Sequence, residues 1–231
     1  MSTTASPFEL LRTLLGDAGA DAPDESLVEL RDELSRFTLE YRCAMDEVAT
    51  KIDILRRDFE LTHDYSPIEH VKTRLKTLES LAEKVRRIDC PPELPIVREQ
   101  VRDIAGIRVT CAFVEDTYQV AAMLTRQPDV ELIETEDYIE SPKANGYQSL
   151  HLIVEVPVYL SDRTIQVPVE VQIRTIAMDF WASVEHRIYY KYAGAVPADL
   201  VESLREVALT AADLDRQMGR MRDEVESLRR P

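Results

Sequence analysis

The chain has 231 residues, of which 45% are hydrophobic and 31% are charged, proportions typical of a soluble globular domain. Its formal net charge of −15 disfavours charge-driven DNA binding, which needs a broad basic surface. No apolar run reaches the roughly 20 residues that span a bilayer, and no signal-peptide pattern opens the chain, so we expect no membrane span and a cytoplasmic location. The three cysteines lack metal-site spacing and indicate free thiols.

The N-terminal part of the chain is predicted to be helical. Residues 7–15 are a short helix candidate, and residues 16–24 have the composition of a linker. Over residues 25–64 the apolar positions recur at steps of three and four, which predicts one long amphipathic helix or a pair of helices. The proline in residues 65–67 should end this helical region.

Residues 68–88 carry a cluster of cations and allow two interpretations. If the whole segment were helical, Arg74 and Lys76 would lie about 200° apart and could not share a target. The favoured alternative is a strand over residues 70–76 followed by a helix. Alternation along that strand would place cations on one face and the other residues toward the core: Lys72, Arg74 and Lys76 against Val71, Thr73 and Leu75.

The helix that follows this strand is expected to run to about Arg87. Thr77 or Ser80 could cap it, and residues 80–83 have the pattern of a capping box. A solvated helix face would explain the basic residues without any function. Because the rest of the chain is acidic, however, a concentrated cationic patch would also suit a polyphosphate.

The middle of the chain is predicted to alternate between strands and helices. After a proline-rich connector and a short helix to residue 102, residues 103–114 read as a turn and a buried strand with Phe113 on its core side and Arg108 on the other. A helix over 115–126 and a strand over 130–136 follow. The polar loop 137–148 contains Asn-Gly, whose simplest explanation is a hairpin turn.

Residues 150–160 and 165–175 are predicted to form two long antiparallel strands joined by a short turn. The second strand alternates strictly, so one face is apolar and the other is polar. Those two faces are Ile165, Val167, Val169, Val171 and Ile173 against Gln166, Pro168, Glu170, Gln172 and Arg174. The polar face would meet solvent or line a site, and Pro168 indicates an edge strand or a bulge.

Two helices complete the prediction. Residues 176–192 include the single tryptophan, Trp181, and His186, which we expect to be a packed core histidine. Residues 197–231 carry an apolar heptad pattern, which is typical of a helix that packs against another helix of its own chain or of a neighbour. The residues of this pattern are Leu200, Leu204, Val207, Ala211, Leu214, Met218, Met221, Val225 and Leu228.

Five segments together carry a family resemblance: HVKTRLKTLES, DIAGIRV, SPKANGYQSLH, VEVQIRT and AMDFWASVEH. In this order they resemble the synthetase domain of the RelA/SpoT-homologue superfamily, and especially its stand-alone members, the small alarmone synthetases. The resemblance implies an α/β fold, with a nucleotidyltransferase-like mixed sheet of about five strands flanked by helices. It further implies one synthetase domain with N-terminal helices (1–64), a catalytic core (65–192) and a C-terminal oligomerisation helix (197–231), usually assembled as a homotetramer.

The same resemblance implies an activity. Members transfer pyrophosphate from ATP to the 3′-hydroxyl of GDP or GTP, and in some cases GMP, giving (p)ppGpp and AMP with Mg²⁺ as cofactor. The chain carries no counterpart of the family's metal-dependent hydrolase, so we expect no alarmone degradation. Some small synthetases bind single-stranded RNA, which nothing in this sequence supports, and some bind alarmone at an effector site. The corresponding positions here do not match that subgroup, so no allosteric activation is expected: His70, Lys72 and Asp179.

The resemblance also assigns roles to residues. Asp103 and Glu170 would hold Mg²⁺, and Glu170 would also act as the base for the 3′-hydroxyl. The expected ATP-binding residues are Arg74, Lys76, Ser80, Lys84 and Arg108, with the two arginines on either side of adenine. The expected residues for the guanine nucleotide are Lys143, Asn145, Tyr147, His151 and Gln172, with Tyr147 stacked on the base.

Two alternatives are weighed against this assignment. A catalytically silent family member acting as an RNA-binding or oligomeric module need not keep the two acids, the two arginines and the tyrosine, yet all five are present. A nucleotidyltransferase that releases pyrophosphate would be expected to show a Gly-Ser motif followed by paired aspartates, which the sequence lacks. Release of AMP would indicate the synthetase, and release of pyrophosphate would indicate the nucleotidyltransferase.

Overall fold

A computed structural model describes residues 24–63, 65–192 and 196–229, so the helix candidate at 7–15 lies outside the described chain. In chain order the elements are α1 (Asp24–Thr62), β1 (Ile68–Leu75), α2 (Leu78–Arg87), α3 (Leu94–Gln100), β2 (Ala105–Cys111), α4 (Val114–Thr125), β3 (Glu131–Asp137), β4 (Leu150–Tyr159), β5 (Thr164–Thr175), α5 (Ile176–Lys191) and α6 (Ala198–Arg229). No helix within those ranges is long and apolar enough to cross a membrane.

The strands form one mixed sheet in the order β1-β2-β5-β4-β3, which confirms the predicted fold class. Strands β2 and β5 run parallel, while the other neighbours are antiparallel, including the predicted β4–β5 hairpin. Although β5 is central in the sheet, Pro168 lies at a local edge, because its part of β5 is paired on one side only. The parallel β2–β5 ladder begins only at the pair Gly106 and Glu170, so Pro168 precedes the start of β2 and needs no backbone N–H on that side.

The apolar side of this sheet packs against α1 and α4. Val167, Val169, Val171 and Ile173 of β5 are fully buried, as the alternation in the sequence predicts. Helix α1 is one continuous helix rather than a pair, and its core side consists of Phe37, Tyr41, Ala44, Val48 and Ile52. Burying this face stabilises the sheet by the hydrophobic effect and leaves the opposite face free for polar residues.

The segment after α1 follows the predicted order of strand and then helix, with two corrections. Thr73 is exposed rather than in the core, because β1 is an edge strand and only its two ends and Val71 contact the apolar cluster. The cap of α2 is Thr77, whose hydroxyl accepts a hydrogen bond from the backbone N–H of Ser80 at 3.2 Å. Ser80 therefore lies inside the helix, and the capping box predicted at residues 80–83 is wrong.

Three further predictions change in the structure. Strand β2 ends at Cys111, so Phe113 precedes α4 instead of continuing the core face. His186 is exposed, because α5 buries the side that carries Trp181 and Ala182 against α6. In α6 only one member of the heptad pattern, Leu204, is buried within the chain. Most of the others remain exposed: Val207, Leu214, Met218, Met221, Val225 and Leu228.

Candidate active site

Cross-strand pairing collects polar residues from all five strands on the face opposite the apolar core. Directly paired residues point to the same face of a sheet. One row of neighbours is Lys72, Arg108, Gln172, His151 and Glu136, and the next is Arg74, Gly106, Glu170, Ile153 and Glu134. The polar face of β5 therefore lines a site rather than bulk solvent, which decides between the two interpretations left open by its sequence.

An open cleft of about 220 Å³ lies over this face. Asp103 and Glu170, which are distant in the sequence, both line it, together with Lys84 and His151. Five lining residues were not anticipated from the sequence: Gln100, Arg102, Glu134, Glu136 and Ile153. The alternation of residues 130–136 could have indicated the two glutamates, since they share a face, but it could not indicate which face meets the cleft.

The carboxylate of Asp103 lies between two of the predicted phosphate-binding cations. Lys76 Nζ donates to Asp103 Oδ2 at 3.1 Å, and Lys84 Nζ lies 3.4 Å from the same oxygen. Burial by itself would raise the pKa of Asp103, but the charges and hydrogen bonds of the two lysines outweigh burial and hold that pKa below its ordinary value. The group is therefore an anion at neutral pH.

The second oxygen of this carboxylate makes the site suitable for a metal ion. Asp103 Oδ1 is buried and has no hydrogen-bond partner among the described residues. An unpaired, buried carboxylate oxygen is costly unless a ligand completes it. Mg²⁺ in nucleotide enzymes is commonly held by one or two carboxylates plus substrate phosphates, and Asp103 with Glu170 supplies that donor set. The residues present therefore fit the ion.

Both oxygens of Glu170 have a polar neighbour on the same face of the sheet, one through a hydrogen bond and one through a close ion-pair contact. Gln172 Nε2 donates to Glu170 Oε2 at 3.0 Å, and His151 Nδ1 lies 3.2 Å from Glu170 Oε1. The other ring nitrogen of His151 is 2.8 Å from the hydroxyl of Tyr147. The predicted base is thus fixed in direction by residues that the sequence assigned to the acceptor nucleotide.

The two arginines predicted to enclose adenine lie on neighbouring strands. Arg74 is paired with Gly106, and Arg108 is two residues further along β2, so the two arginines are diagonal neighbours roughly 7–8 Å apart at the backbone. That spacing can accept a flat aromatic ring between guanidinium planes. Arg108 also forms an ion pair with Asp179 at 3.3 Å.

The loop between β3 and β4 carries the other acceptor residues. Its Asn-Gly turn is realised by Gly146 at φ 89°, a conformation that favours glycine. The ammonium of Lys143 lies 4.1 Å from the ring centre of Tyr138 and 5.4 Å from that of Tyr147. Asn145 donates to Glu185 at 3.2 Å and accepts from the backbone N–H of Tyr147 at 3.1 Å, which holds the loop against α5.

The fold and this polar face define a class: a phosphoryl-transfer enzyme built on a nucleotidyltransferase-like sheet, with paired carboxylates beside a cationic cluster. Comparison with known proteins gives the family. A family model described as a region found in RelA / SpoT proteins matches residues 73–195. The chain belongs to the RelA/SpoT family, which confirms the resemblance of its five motifs.

Individual relatives are similar over most of their length. The GTP pyrophosphokinase YwaC of Bacillus subtilis is 42% identical over 202 residues, covering 87% of this chain and 96% of the relative. The GTP pyrophosphokinase YjbM of the same organism is 40% identical, covering 83% and 89%. The crystal structure of small alarmone synthetase 1 from Bacillus subtilis bound to its product pppGpp superposes with a TM-score of 0.78 at 38% identity, covering 84% of this chain and 98% of that one.

Proposed function

We infer that this chain is an alarmone synthetase, a GTP pyrophosphokinase that transfers pyrophosphate from ATP to the 3′-oxygen of GDP or GTP. The products are ppGpp or pppGpp, and AMP. The observation that carries this function is the meeting of Asp103 and Glu170 in one cleft, beside Lys76 and Lys84. The names of the similar GTP pyrophosphokinases, and a neighbouring structure bound to the ATP analogue AMPCPP, support the same donor and acceptor.

On the donor side, Arg74 and Arg108 hold adenine, while Lys76, Lys84 and Ser80 bind the phosphate chain. When bound, Mg²⁺ neutralises phosphate charge and orients the transferred group, and Asp103 and Glu170 would hold it. The lysines that now contact Asp103 are close enough to bind the same phosphates as the metal. Concentrated positive charge offsets the negative charge of the triphosphate during transfer.

On the acceptor side, Tyr147 stacks on guanine, Lys143 binds the 5′-phosphates, and Asn145, His151 and Gln172 position the nucleotide. Glu170 takes the proton from the 3′-hydroxyl as its oxygen attacks the β-phosphorus of ATP. The bond between that phosphorus and the oxygen bridging to the α-phosphate breaks, and its electron pair leaves with AMP. No covalent enzyme intermediate is needed, so the rate depends on in-line positioning and charge.

Product analysis of the purified chain tests this function. With ATP, Mg²⁺ and GDP or GTP, we expect AMP and a 3′-pyrophosphorylated guanine nucleotide, resolved by anion-exchange chromatography. A chelator should abolish the reaction and added Mg²⁺ should restore it, because the two carboxylates and the polyphosphate are all anions and repel one another unless a cation lies between them. A wild-type chain that folds but makes no product from GMP, GDP or GTP would support a silent regulatory protein, and release of pyrophosphate would support a nucleotidyltransferase.

The exposed apolar seam of α6 supports the proposal that the chain is a homo-oligomer, with a tetramer favoured. Val207, Leu214, Met218, Met221 and Val225 each expose between 44% and 60% of their surface on one side of the helix. A contiguous exposed apolar stripe at heptad spacing favours burial against a second helix.

We also propose that the chain is organised in three parts, residues 1–64, 65–192 and 197–231. The free cysteines support a further proposal, that the protein is cytoplasmic.

Charged substitutions in this seam should dissociate the oligomer. Leu214→Glu combined with Met221→Glu places two carboxylates in the apolar contact, so light scattering should report a smaller species than the wild type. Leu209→Glu is the matched control, because Leu209 is also exposed, at 63%, but lies off the seam on the same helix. An unchanged mass for the double variant would contradict the assignment of this face.

A further inference from the structure

Arg174 is a buried cation that the proposed mechanism does not use. It lies on the polar face of β5, and only 4% of its surface is exposed. Burial lowers the pKa of Arg174 below its ordinary value, yet a guanidinium stays charged at neutral pH. Burying a charge costs desolvation free energy, so an arginine at this position needs hydrogen-bond and ion-pair partners that offset it.

Its contacts lead to both oxygens of the proposed base by two separate routes, the first ending in an ion-pair contact and the second in a hydrogen bond. On the first, Arg174 Nη2 donates to the hydroxyl of Tyr147 at 2.6 Å, that hydroxyl meets His151 Nε2 at 2.8 Å, and His151 Nδ1 lies 3.2 Å from Glu170 Oε1. On the second, Arg174 Nη2 donates to Gln172 Oε1 at 2.7 Å, and Gln172 Nε2 donates to Glu170 Oε2 at 3.0 Å.

The donors and acceptors on these routes are consistent with one another. Because a guanidinium can only donate, the Tyr147 oxygen accepts from Arg174 and its proton is available to His151 Nε2. A neutral His151 that accepts at Nε2 has its proton on Nδ1, the nitrogen that lies 3.2 Å from Glu170 Oε1. The amide of Gln172 is likewise fixed, since its oxygen faces the guanidinium and its nitrogen faces the carboxylate. Turning over either the ring of His151 or the side-chain amide of Gln172 would break two contacts.

Arg174 also contacts the donor side of the site. Asp179 Oδ1 lies 3.4 Å from Arg174 Nη1 and 3.3 Å from Arg108 Nη1, so one carboxylate serves two guanidinium groups. Lysine could not reproduce this arrangement, because a single ammonium cannot direct donors in a plane toward Tyr147, Gln172 and Asp179 together. The geometry therefore requires an arginine and not merely a positive charge.

We propose that Arg174 is a positioning residue for pyrophosphate transfer, which orients the carboxylate of Glu170 through Tyr147 and His151 on one side and through Gln172 on the other. This inference rests on the proposed function. Arg174 does not touch either nucleotide's reacting atoms. It fixes the direction of the base, so its removal should act mainly on the chemical step and less on acceptor binding.

A set of variants in the full chain tests this role. Tyr147→Phe keeps the ring but cuts the first route, Gln172→Ala cuts the second, and Arg174→Lys cuts both. Each single-route variant should lower kcat roughly tenfold, as expected for a lost hydrogen bond to a charged network. Arg174→Lys should lower kcat roughly 10²-fold, as expected for a misplaced catalytic group, and by a larger factor than it raises the KM for GDP.

The combined variant distinguishes positioning from a structural role. When both routes are already cut by Tyr147→Phe and Gln172→Ala, adding Arg174→Lys should cause no further loss of kcat. The same further loss in every background would overturn the proposal. Tyr118→Phe, which removes a hydroxyl bonded to Asp137 outside the cleft, is the matched control.

Folding and function are separated by two further measurements. Thermal unfolding and quenching of Trp181 fluorescence by GDP show whether each variant is folded and binds acceptor, since Trp181 lies 6.5 Å from the ring of Tyr147. If Arg174→Lys does not fold, Tyr147→Phe decides alone, and a wild-type kcat for it overturns the proposal. An inactive wild type would contradict the proposed function, whereas an active wild type with an unaffected Tyr147→Phe contradicts only this inference.

Discussion

Glu170→Gln is expected to lower kcat for alarmone synthesis by roughly 10²–10⁴-fold, the range of general-base catalysis, without unfolding the chain. The amide has nearly the same shape as the carboxylate, and the residue belongs to a central strand whose apolar neighbours, Val169 and Val171, remain buried. What is lost is an acceptor for the proton of the 3′-hydroxyl and one negative oxygen donor for Mg²⁺. The rate should be measured as AMP formation at saturating ATP and GDP.

A Mg²⁺ titration separates the two roles that Glu170 combines. If the residue serves chiefly as a metal ligand, a higher Mg²⁺ concentration should restore much of the rate. If it serves as the base, the loss should persist at every Mg²⁺ concentration, and we expect this second result. Glu155→Gln is the matched control, because Glu155 lies on the same face of the sheet, opposite Pro168 and one row from the site. Near-wild-type turnover by Glu170→Gln would remove the proposed base.

Much of the fold could be predicted because its signals are local. The alternation of β5 fixed which residues enter the core, and the hairpin with β4 followed from a short polar turn. The family, the fold and the activity class rested on five motifs, and the similar GTP pyrophosphokinases confirm them. The assignment of individual site residues stays a prediction, supported by their placement on one polar face.

Several of the errors concern where an element ends or what lies beside it, which a residue pattern within one segment does not show. Thr73 alternates correctly, yet β1 is an edge strand that the core covers only in part. Phe113 continues the β2 pattern, but the chain has already left the strand to begin α4. Pro168 indicated an edge, which is true of its own position, but it could not indicate that β5 becomes central where β2 begins. The residue pattern of one segment does not indicate where a neighbouring strand begins or ends.

The hydrogen-bond network around Arg174 could likewise not be predicted from the sequence. The alternation placed Arg174 on the same face as Glu170 and Gln172, but it gave no sign that one guanidinium joins Tyr147 to Gln172. That junction depends on the antiparallel register of β4 with β5, which pairs His151 with Gln172, and on the position of the loop that precedes β4. Such long-range contacts arise from the assembled sheet, so only the structure could reveal them.

Asp103→Asn should lower kcat/KM for ATP by roughly 10²–10³-fold, comparable to removing one preorganised electrostatic group from an active site. The variant keeps the size of the side chain but loses the buried anionic oxygen that fits Mg²⁺, Asp103 Oδ1. It also releases Lys76 and Lys84 from the carboxylate that both now contact. We therefore expect metal-free ATP analogue to bind as tightly as in the wild type or more tightly, while Mg²⁺-dependent turnover falls.

This opposite response of binding and turnover is what distinguishes a metal ligand from a residue that merely supports the fold. A structural role would weaken ATP binding and lower the unfolding temperature together, and calorimetric titration with AMPCPP beside thermal unfolding would detect both changes. Asp129→Asn is the matched control, because Asp129 forms a comparable ion pair with Lys51 at 2.6 Å outside the cleft. If Asp103→Asn kept its turnover at low Mg²⁺, Glu170 alone would have to hold the metal, and the paired-carboxylate site would be wrong.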